Sequence, residues 1–163
     1  MTGASGSFEA FFEAHHLRLF RAMYLVAGSV QDAEELTQDA FLKAWERWDR
    51  VKVMANPTGY VFRVAMNGFR SRYRRAVRAA RRVVGMGRSA GDPFAEADAR
   101  DDVARAMRGL PPRQRAALVL TEFLEMTSEE AGRLLGVTAA SVRALTHQGR
   151  AALRKSLAER SDE

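Results

Sequence analysis

The chain lacks several features that would place it in other classes. Its 163 residues include no cysteine, which excludes disulfides and thiolate zinc sites. It has only four prolines, and no segment alternates apolar and polar residues long enough to predict a sheet. It also lacks an apolar run of about eighteen residues and a charged-then-apolar N-terminus. We therefore expect a helical protein of the cytoplasm, with no membrane span or signal peptide.

Catalytic constellations are absent as well. We find no glycine-rich phosphate loop, no nucleophile beside a plausible base and no carboxylate pair in an apolar setting. His15 and His16 are adjacent, so on a helix they point about 100° apart and chelate one metal poorly. The sequence thus predicts a protein that is not an enzyme and that needs neither metal nor cofactor.

The composition favours helix and a polyanionic partner. Hydrophobic residues make up 47% of the chain, which is enough for a folded core. The formal charge is +6 and the pI is near 10.4. Such a surplus predicts attraction to DNA, RNA or an acidic membrane.

The helical patterning falls into two blocks, so we predict an all-α fold of two small helical domains joined by a flexible linker. Gly28-Ser29 and Asn56-Pro57 are expected to separate helices of the first block, and Leu17, Phe20 and Tyr24 to share one face of its first helix. Three glycines within eleven residues near position 88 suggest the linker. The predicted segments are a flexible start at 1–7, a first domain at 8–83, a linker at 84–100 and a second domain at 101–160.

One stretch carries charge of a single sign. Between Val51 and Gly91 there is no acidic residue, and the charged residues are Lys52, Arg63, Arg70, Arg72, Arg74, Arg75, Arg78, Arg81, Arg82 and Arg88. Like charges at this density repel each other unless a polyanion neutralises them. Phe62, Phe69 and Tyr73 interleave with the arginines. These aromatic rings either stack on unpaired bases or belong to the core, and the sequence leaves both open.

A second stretch is acidic and amphipathic. It runs from Gln31 to Trp45. An acidic helix in a basic protein is not expected to face DNA, so it faces either solvent or a protein partner. Periodicity alone favours solvent.

Residues 127–147 have the layout of a helix-turn-helix. Thr127 and Glu130 have capping-box spacing. Gly136 suits a tight turn, and Thr138 suits the N-cap of a second helix with Val142 and Leu145 on its inner face. This layout places a second helix in the DNA major groove.

Taken together, these motifs resemble a bacterial sigma factor of the extracytoplasmic-function (ECF, group 4) family. The resemblance covers nearly all of the chain after residue 7. Residues 32–45 are similar to the family's region 2.2, and residues 60–67 with the arginines that follow are similar to regions 2.3 and 2.4. Residues 110–120 are similar to the start of region 4, and the helix-turn-helix to region 4.2.

The resemblance implies partners that the periodicity did not indicate. In this family the acidic helix docks on the beta-prime coiled coil of core RNA polymerase, and the beta flap is a further contact. The implied docking residues are Asp32, Glu35, Gln38, Asp39 and Leu42. Minus-10 recognition maps to the loop at 49–58 and the next helix, where a base is flipped into a pocket. The implied minus-10 residues are Arg63, Asn67, Arg70, Tyr73 and Arg74.

Minus-35 recognition maps to the outward positions of the last helix. These positions are Ser141, Arg143, Ala144, His147, Arg150 and Lys155. Arg143 offers a bidentate fork for guanine, and Ser141, Arg150 and Lys155 suit phosphate. The chain departs from the family at Gly132, where alanine is usual, and at Leu145-Thr146, where arginine then leucine is common. The promoter sequence therefore cannot be carried over.

Two other functions remain open at this stage. A stand-alone helix-turn-helix repressor would bind palindromic DNA as a dimer without polymerase. A general nucleic-acid-coating protein would show no sequence preference and would not explain the helix-turn-helix. Many factors of the family are held by an anti-sigma protein, but the sequence identifies neither such a partner nor the inducing signal.

Overall fold

The fold is helical throughout the residues that the structure describes. This computed structural model describes residues 6–84 and 102–162, and no strand occurs in those ranges. The helices are α1 (Phe8–Ala27), α2 (Val30–Glu46), α3 (Trp48–Val51), α4 (Pro57–Val84), α5 (Asp102–Arg108), α6 (Pro112–Leu118), α7 (Ser128–Leu135) and α8 (Ala139–Ser161), with a π-helical segment at Val119–Phe123 between α6 and α7. The all-α prediction is confirmed.

The first helices begin and end at residues that satisfy their free backbone groups. Ser7 Oγ accepts a hydrogen bond from the Ala10 amide at 3.2 Å. Gly28 ends α1 with φ at 74°, a conformation that costs glycine little. Ser29 Oγ then accepts from the Asp32 amide at 3.2 Å and starts α2. The predicted break at Gly28-Ser29 is confirmed.

Helices α1, α2 and α4 pack around a common apolar core. The buried face of α1 carries Leu19, Met23 and Val26. Phe20 and Tyr24 also pack against this core, whereas Leu17 is 49% exposed.

The helix-turn-helix has the predicted caps. Thr127 Oγ1 accepts from the Glu130 amide at 3.1 Å, and Glu130 Oε2 accepts from the Thr127 amide at 2.9 Å. Gly136 ends α7 with φ at 68°. Thr138 Oγ1 accepts from the Ser141 amide at 3.1 Å. Since each cap satisfies orphan amides, the sequence fixes both helix starts locally.

The inner face of α8 differs from the prediction at one position. Val142 is fully buried, as expected, and Thr146 is 6% exposed. Leu145 is only half-buried and lies beside Phe69 and Tyr73 of α4. Thr146 therefore occupies the core position that helical periodicity predicted for Leu145. The Thr146 hydroxyl lies 3.5 Å from that of Thr121.

Part of the sequence prediction lies outside the described residues. This applies to residues 1–5 of the predicted flexible start and to 85–100 of the predicted linker. Within the described ranges, no helix is both long enough and apolar enough to cross a membrane.

Candidate nucleic-acid and protein interfaces

Four of the predicted minus-10 residues form a stripe along α4. Arg63, Asn67, Arg70 and Arg74 recur at spacings of four, three and four residues, which aligns them on one helix face. Arg63, Asn67 and Arg74 are exposed, and Arg70 is half-buried. We call these four residues the α4 stripe.

The aromatic residues beside the α4 stripe divide between core and surface. Phe62 is 4% exposed and Phe69 is 3% exposed, so both belong to the core. Tyr73 is half-buried and packs on Phe69 with ring centroids 6.0 Å apart. Of these three rings, that of Tyr73 is thus the one that remains partly exposed to solvent beside the α4 stripe.

The N-terminal end of α4 borders a cleft of about 680 Å³. Asn56 Oδ1 accepts from the Gly59 amide at 2.9 Å and caps α4, as predicted. Asn56, Thr58 and Arg63 line one wall of the cleft. The opposite wall comes from the helix-turn-helix half and carries Glu125, Met126, Glu130, Arg133 and Leu134.

Two arginines of the first half donate to backbone carbonyls of the second half. Arg70 Nη1 lies 2.8 Å from the Leu134 carbonyl oxygen, near the C-terminal end of α7, where free carbonyls are electronegative. Arg18 Nη2 lies 3.2 Å from the Phe123 carbonyl oxygen and 3.8 Å from the Glu125 carboxylate. In this arrangement the α4 stripe faces the helix-turn-helix.

The predicted polymerase-docking residues share one side of α2. Asp32, Glu35 and Asp39 form its acidic edge, and all three lie within 4.0 Å of the Arg72 guanidinium. Gln38 and Leu42 form the other edge, and Leu42 is 52% exposed. We call this set of five residues the α2 face.

An apolar hollow borders the second edge of the α2 face. Phe8 and Phe12 of α1 lie there beside Phe41 and Trp45 of α2. Phe12 and Phe41 meet edge to face with centroids 4.9 Å apart, and Trp45 is 59% exposed. A large exposed tryptophan in an apolar hollow is typical of a protein-binding surface.

All six predicted minus-35 residues are exposed on α8. Ser141 also belongs to the N-cap, since its Oγ accepts from Thr138 Oγ1 at 2.9 Å. The Arg143 guanidinium lies 3.8 Å from the Glu129 carboxylate of α7. Arg150 forms an ion pair with Glu122. Arg143 and Arg150 are therefore partly neutralised by acidic residues of the same half.

His15 and His16 do not gather other ligands around them. The described residues contain no group of three or more histidine, cysteine, aspartate or glutamate side chains placed to hold a metal ion. Burial, together with the nearby Arg18 charge, lowers the pKa of His15. Its ring packs on Phe11, with centroids 4.8 Å apart, and its Nε2 lies 3.4 Å from Thr58 Oγ1. The His15 side chain thus packs from α1 against the start of α4.

Sequence reasoning did not identify Arg18 or assign a separate role to Arg72. Arg18 gives no signal in the sequence, because its partners, the Phe123 carbonyl oxygen and the Glu125 carboxylate, lie more than a hundred positions away. Arg72 could have been separated from the α4 stripe by helix geometry. It lies two positions from both Arg70 and Arg74, and residues at that spacing do not share a face.

Each half of the chain matches a known protein family. Residues 11–79 match the family model described as Sigma-70 region 2, and residues 100–153 match the model described as Sigma-70, region 4. The ECF RNA polymerase sigma factor SigE of Mycolicibacterium smegmatis is 32% identical, over 98% of this chain and 65% of that protein. SigM of Mycobacterium tuberculosis is 27% identical, over 96% of this chain and 80% of that protein. The chain belongs to the ECF sigma factors of the sigma-70 family.

The relatives differ in length from this chain. SigG of Mycobacterium tuberculosis is 28% identical, and the match covers 95% of this chain but 50% of SigG. The chain thus spans about two thirds of the SigE relative and half of the SigG relative.

Solved structures share the fold. The sigma factor RpoE from Bartonella quintana, solved in complex with the anti-sigma factor NepR, superposes with a TM-score of 0.73 at 21% identity, over 92% of this chain and 96% of that one. CnrH, solved with the cytosolic domain of CnrY, gives a TM-score of 0.61 at 24% identity, over 93% of this chain and 88% of that one. The fold is therefore that of known sigma factors.

Proposed function

We propose that this chain is a dissociable subunit that binds core RNA polymerase, recognises minus-10 and minus-35 promoter elements, helps to melt DNA and so initiates transcription. The observation that carries the proposal is the separation of charge on the surface. An acidic, partly apolar face lies on α2, whereas basic residues line α4 and α8. A protein partner and DNA can then bind different surfaces at once. The chain acts in the cytoplasm and supplies no catalytic group of its own.

The proposed polymerase contact is the α2 face. Its carboxylates suit a basic surface, and its exposed Leu42 adds an apolar contact. The partner surface is the beta-prime coiled coil, and the helix-turn-helix half makes a second contact at the beta flap.

The proposed minus-10 contact is the α4 stripe with Tyr73. Arginines and a half-exposed ring suit phosphates and unstacked bases, whose contacts offset the cost of unpairing. Asn67 is the candidate for hydrogen bonding to a base edge. Since Phe62 and Phe69 are buried, base stacking in this region depends on Tyr73.

The proposed minus-35 contact is the outward face of α8. Arg143 reads a base edge, with His147 one turn further along the same side. Ser141, Arg150 and Lys155 contact phosphate. A regulatory partner is also proposed, because the RpoE and NepR structure shows that a protein of this fold can be held by an anti-sigma factor.

A stand-alone repressor is not supported. The first half of the chain matches Sigma-70 region 2, and a repressor that acts without polymerase has no use for a region of that kind. A general nucleic-acid-coating protein does not explain the match to Sigma-70, region 4 either.

The proposal is tested with purified protein, core RNA polymerase and a genome-wide set of promoter fragments. We expect a stable complex with core enzyme, little promoter affinity for the chain alone, and transcription from a subset of fragments. Asp39→Arg reverses a charge on the α2 face and is expected to weaken polymerase binding at least tenfold, since like charges across an interface cost several kcal/mol.

The matched control is Glu34→Arg on the same helix. Glu34 is exposed and lies five residues from Asp39, about 140° around the axis. Because Glu34 lies one turn before Gln38, at the border of the α2 face, we expect a much smaller loss of binding than with Asp39→Arg. If Asp39→Arg binds core enzyme as well as the unmodified chain does, the docking assignment is wrong. If no promoter fragment is transcribed, the proposed function itself is wrong.

A further inference from the structure

Arg72 points away from the α4 stripe. Residues on a helix advance about 100° per position, so Arg72 lies about 170° around α4 from the middle of the stripe. Its guanidinium meets α2 instead. Nη1 lies 2.8 Å from Glu35 Oε2, and Nη2 lies 3.1 Å from Asp39 Oδ2. Asp32 Oδ1 is 3.9 Å from Nη1. One arginine therefore spans all the carboxylates of the α2 face.

The contacts fix the carboxylates without covering them. Glu35 is held on both oxygens, because its Oε1 also accepts from Gln31 Nε2 at 3.3 Å. The Arg72 side chain is only 22% exposed, whereas Glu35 is 49% exposed and Asp39 is 61% exposed. Arg72 thus lies behind the carboxylates, whose outer edges stay open to a partner.

We propose that Arg72 is a positioning residue of the polymerase-docking face and not a DNA contact. The inference rests on the proposed function of that face. Acidic residues one turn apart on a helix repel each other and spread into several rotamers. A planar guanidinium bound to two of them selects one arrangement. A partner that meets this fixed array loses less conformational entropy on binding.

Two effects of opposite sign follow from removing the Arg72 charge. The α2 face becomes more negative, which strengthens attraction to a basic partner. The carboxylates also lose their common anchor, which weakens binding. At physiological salt the first effect is screened over about 8 Å, whereas the second acts through direct contacts of about 3 Å. We therefore expect Arg72→Gln to bind core polymerase more weakly, about tenfold, as ordering of one or two side chains implies.

The experiment titrates labelled full-length chain with core RNA polymerase near physiological salt and without DNA. Arg72→Lys keeps the charge but loses the planar fork, so we expect an affinity between those of the unmodified chain and Arg72→Gln. Arg78→Gln removes the same charge from an exposed position on the same helix and is expected to bind within about twofold of the unmodified chain. Thermal melting of every variant measures any change in stability.

A combined variant separates positioning from a general loss of stability. In an Asp32→Asn, Asp39→Asn background, Arg72→Gln is expected to cause much less than tenfold further loss, because most of the carboxylates it orders are gone. A full tenfold loss in that background overturns the inference.

Other outcomes also decide the question. Binding by Arg72→Gln that equals or exceeds that of the unmodified chain overturns the inference and leaves the docking face intact. If melting shows that Arg72→Gln is unfolded, Arg72→Lys decides, and an unchanged affinity of Arg72→Lys overturns the inference. No binding by the unmodified chain overturns the proposed function and the inference together.

Discussion

Arginine residues of this chain have different roles, which depend on the groups that surround them. Arg72 binds carboxylates of α2, and Arg70 donates to a backbone carbonyl of α7. Arg143 is 60% exposed and only loosely paired with Glu129, at 3.8 Å. An exposed pair of this kind contributes little to stability. The Arg143 guanidinium can therefore leave Glu129 and bind a base edge with little loss of stability.

At the residue scale, we predict that Arg143→Ala changes which minus-35 sequence is preferred. Losing a bidentate contact to guanine costs about 1–3 kcal/mol at one base position and little at the others. The measurement is the affinity of the polymerase complex for a set of promoters with each minus-35 base replaced in turn.

Lys155 provides the contrast on the same helix. It is exposed, and as a phosphate contact it carries no sequence information. Lys155→Ala is expected to weaken all the promoters about equally and to lower the dependence of log affinity on log salt by about 1. A uniform loss with Arg143→Ala, equal to that with Lys155→Ala, would falsify the assignment of Arg143 to a base.

At the scale of elements, the helix-turn-helix depends on a close approach between α7 and the turn that follows it. A Cβ on Gly132 would lie 2.7 Å from the Val137 carbonyl oxygen and 3.4 Å from the Thr138 carbonyl carbon. Both atoms belong to the backbone, so the turn itself would have to move. Gly132 therefore suits this turn better than an alanine would.

We predict that Gly132→Ala destabilises the protein even though alanine favours helix by about 1 kcal/mol over glycine. The expected net loss in the free energy of unfolding is about 1–3 kcal/mol, as for other overpacked positions. Chemical denaturation followed by circular dichroism measures it.

The control Ala152→Gly measures the effect of helix propensity alone, at an exposed position of α8. It is expected to lower the free energy of unfolding by about 1 kcal/mol. If Gly132→Ala is instead more stable than the unmodified chain, the close approach described at Val137 is absent from the protein in solution.

Local signals in the sequence determined most helix boundaries, and contacts between distant residues explain what it missed. Ser29, Asn56, Thr127 and Thr138 act through amides three residues away, so their roles could be read from spacing. The fully buried Arg115 could not be foreseen, because arginine is usually exposed. The choice of Thr146 over Leu145 for the core depends on how α8 packs against the rest of the chain, and periodicity does not contain that information.

At the scale of the whole molecule, part of the contact between the two halves lies on the surface that is proposed to bind promoter DNA. Arg70 of the α4 stripe donates to Leu134, and Arg74 and Tyr73 border a small cavity against Leu135 and Val137. A strand of DNA that contacts Arg70 has to displace the helix-turn-helix from this side of α4. Helix α1 also contacts α5, α6 and the π-helical segment, so binding of polymerase and promoter has to supply the free energy that breaks these contacts as well.

We therefore predict that the two halves separate when the chain engages polymerase and promoter. The chain has no cysteine, so Glu34→Cys and Ser161→Cys, both at exposed positions, allow a donor and an acceptor dye to be attached, one to each half. Energy transfer is expected to be high in the free protein and to fall when core polymerase and promoter DNA are added together. Adding Arg70→Ala to the labelled protein removes a charged hydrogen bond between the halves, worth about 1.5–3 kcal/mol, and should raise the low-transfer population before any partner is added. Transfer that stays high in an active initiation complex would show that DNA binds without opening this contact, and the α4 stripe would then not be the minus-10 surface.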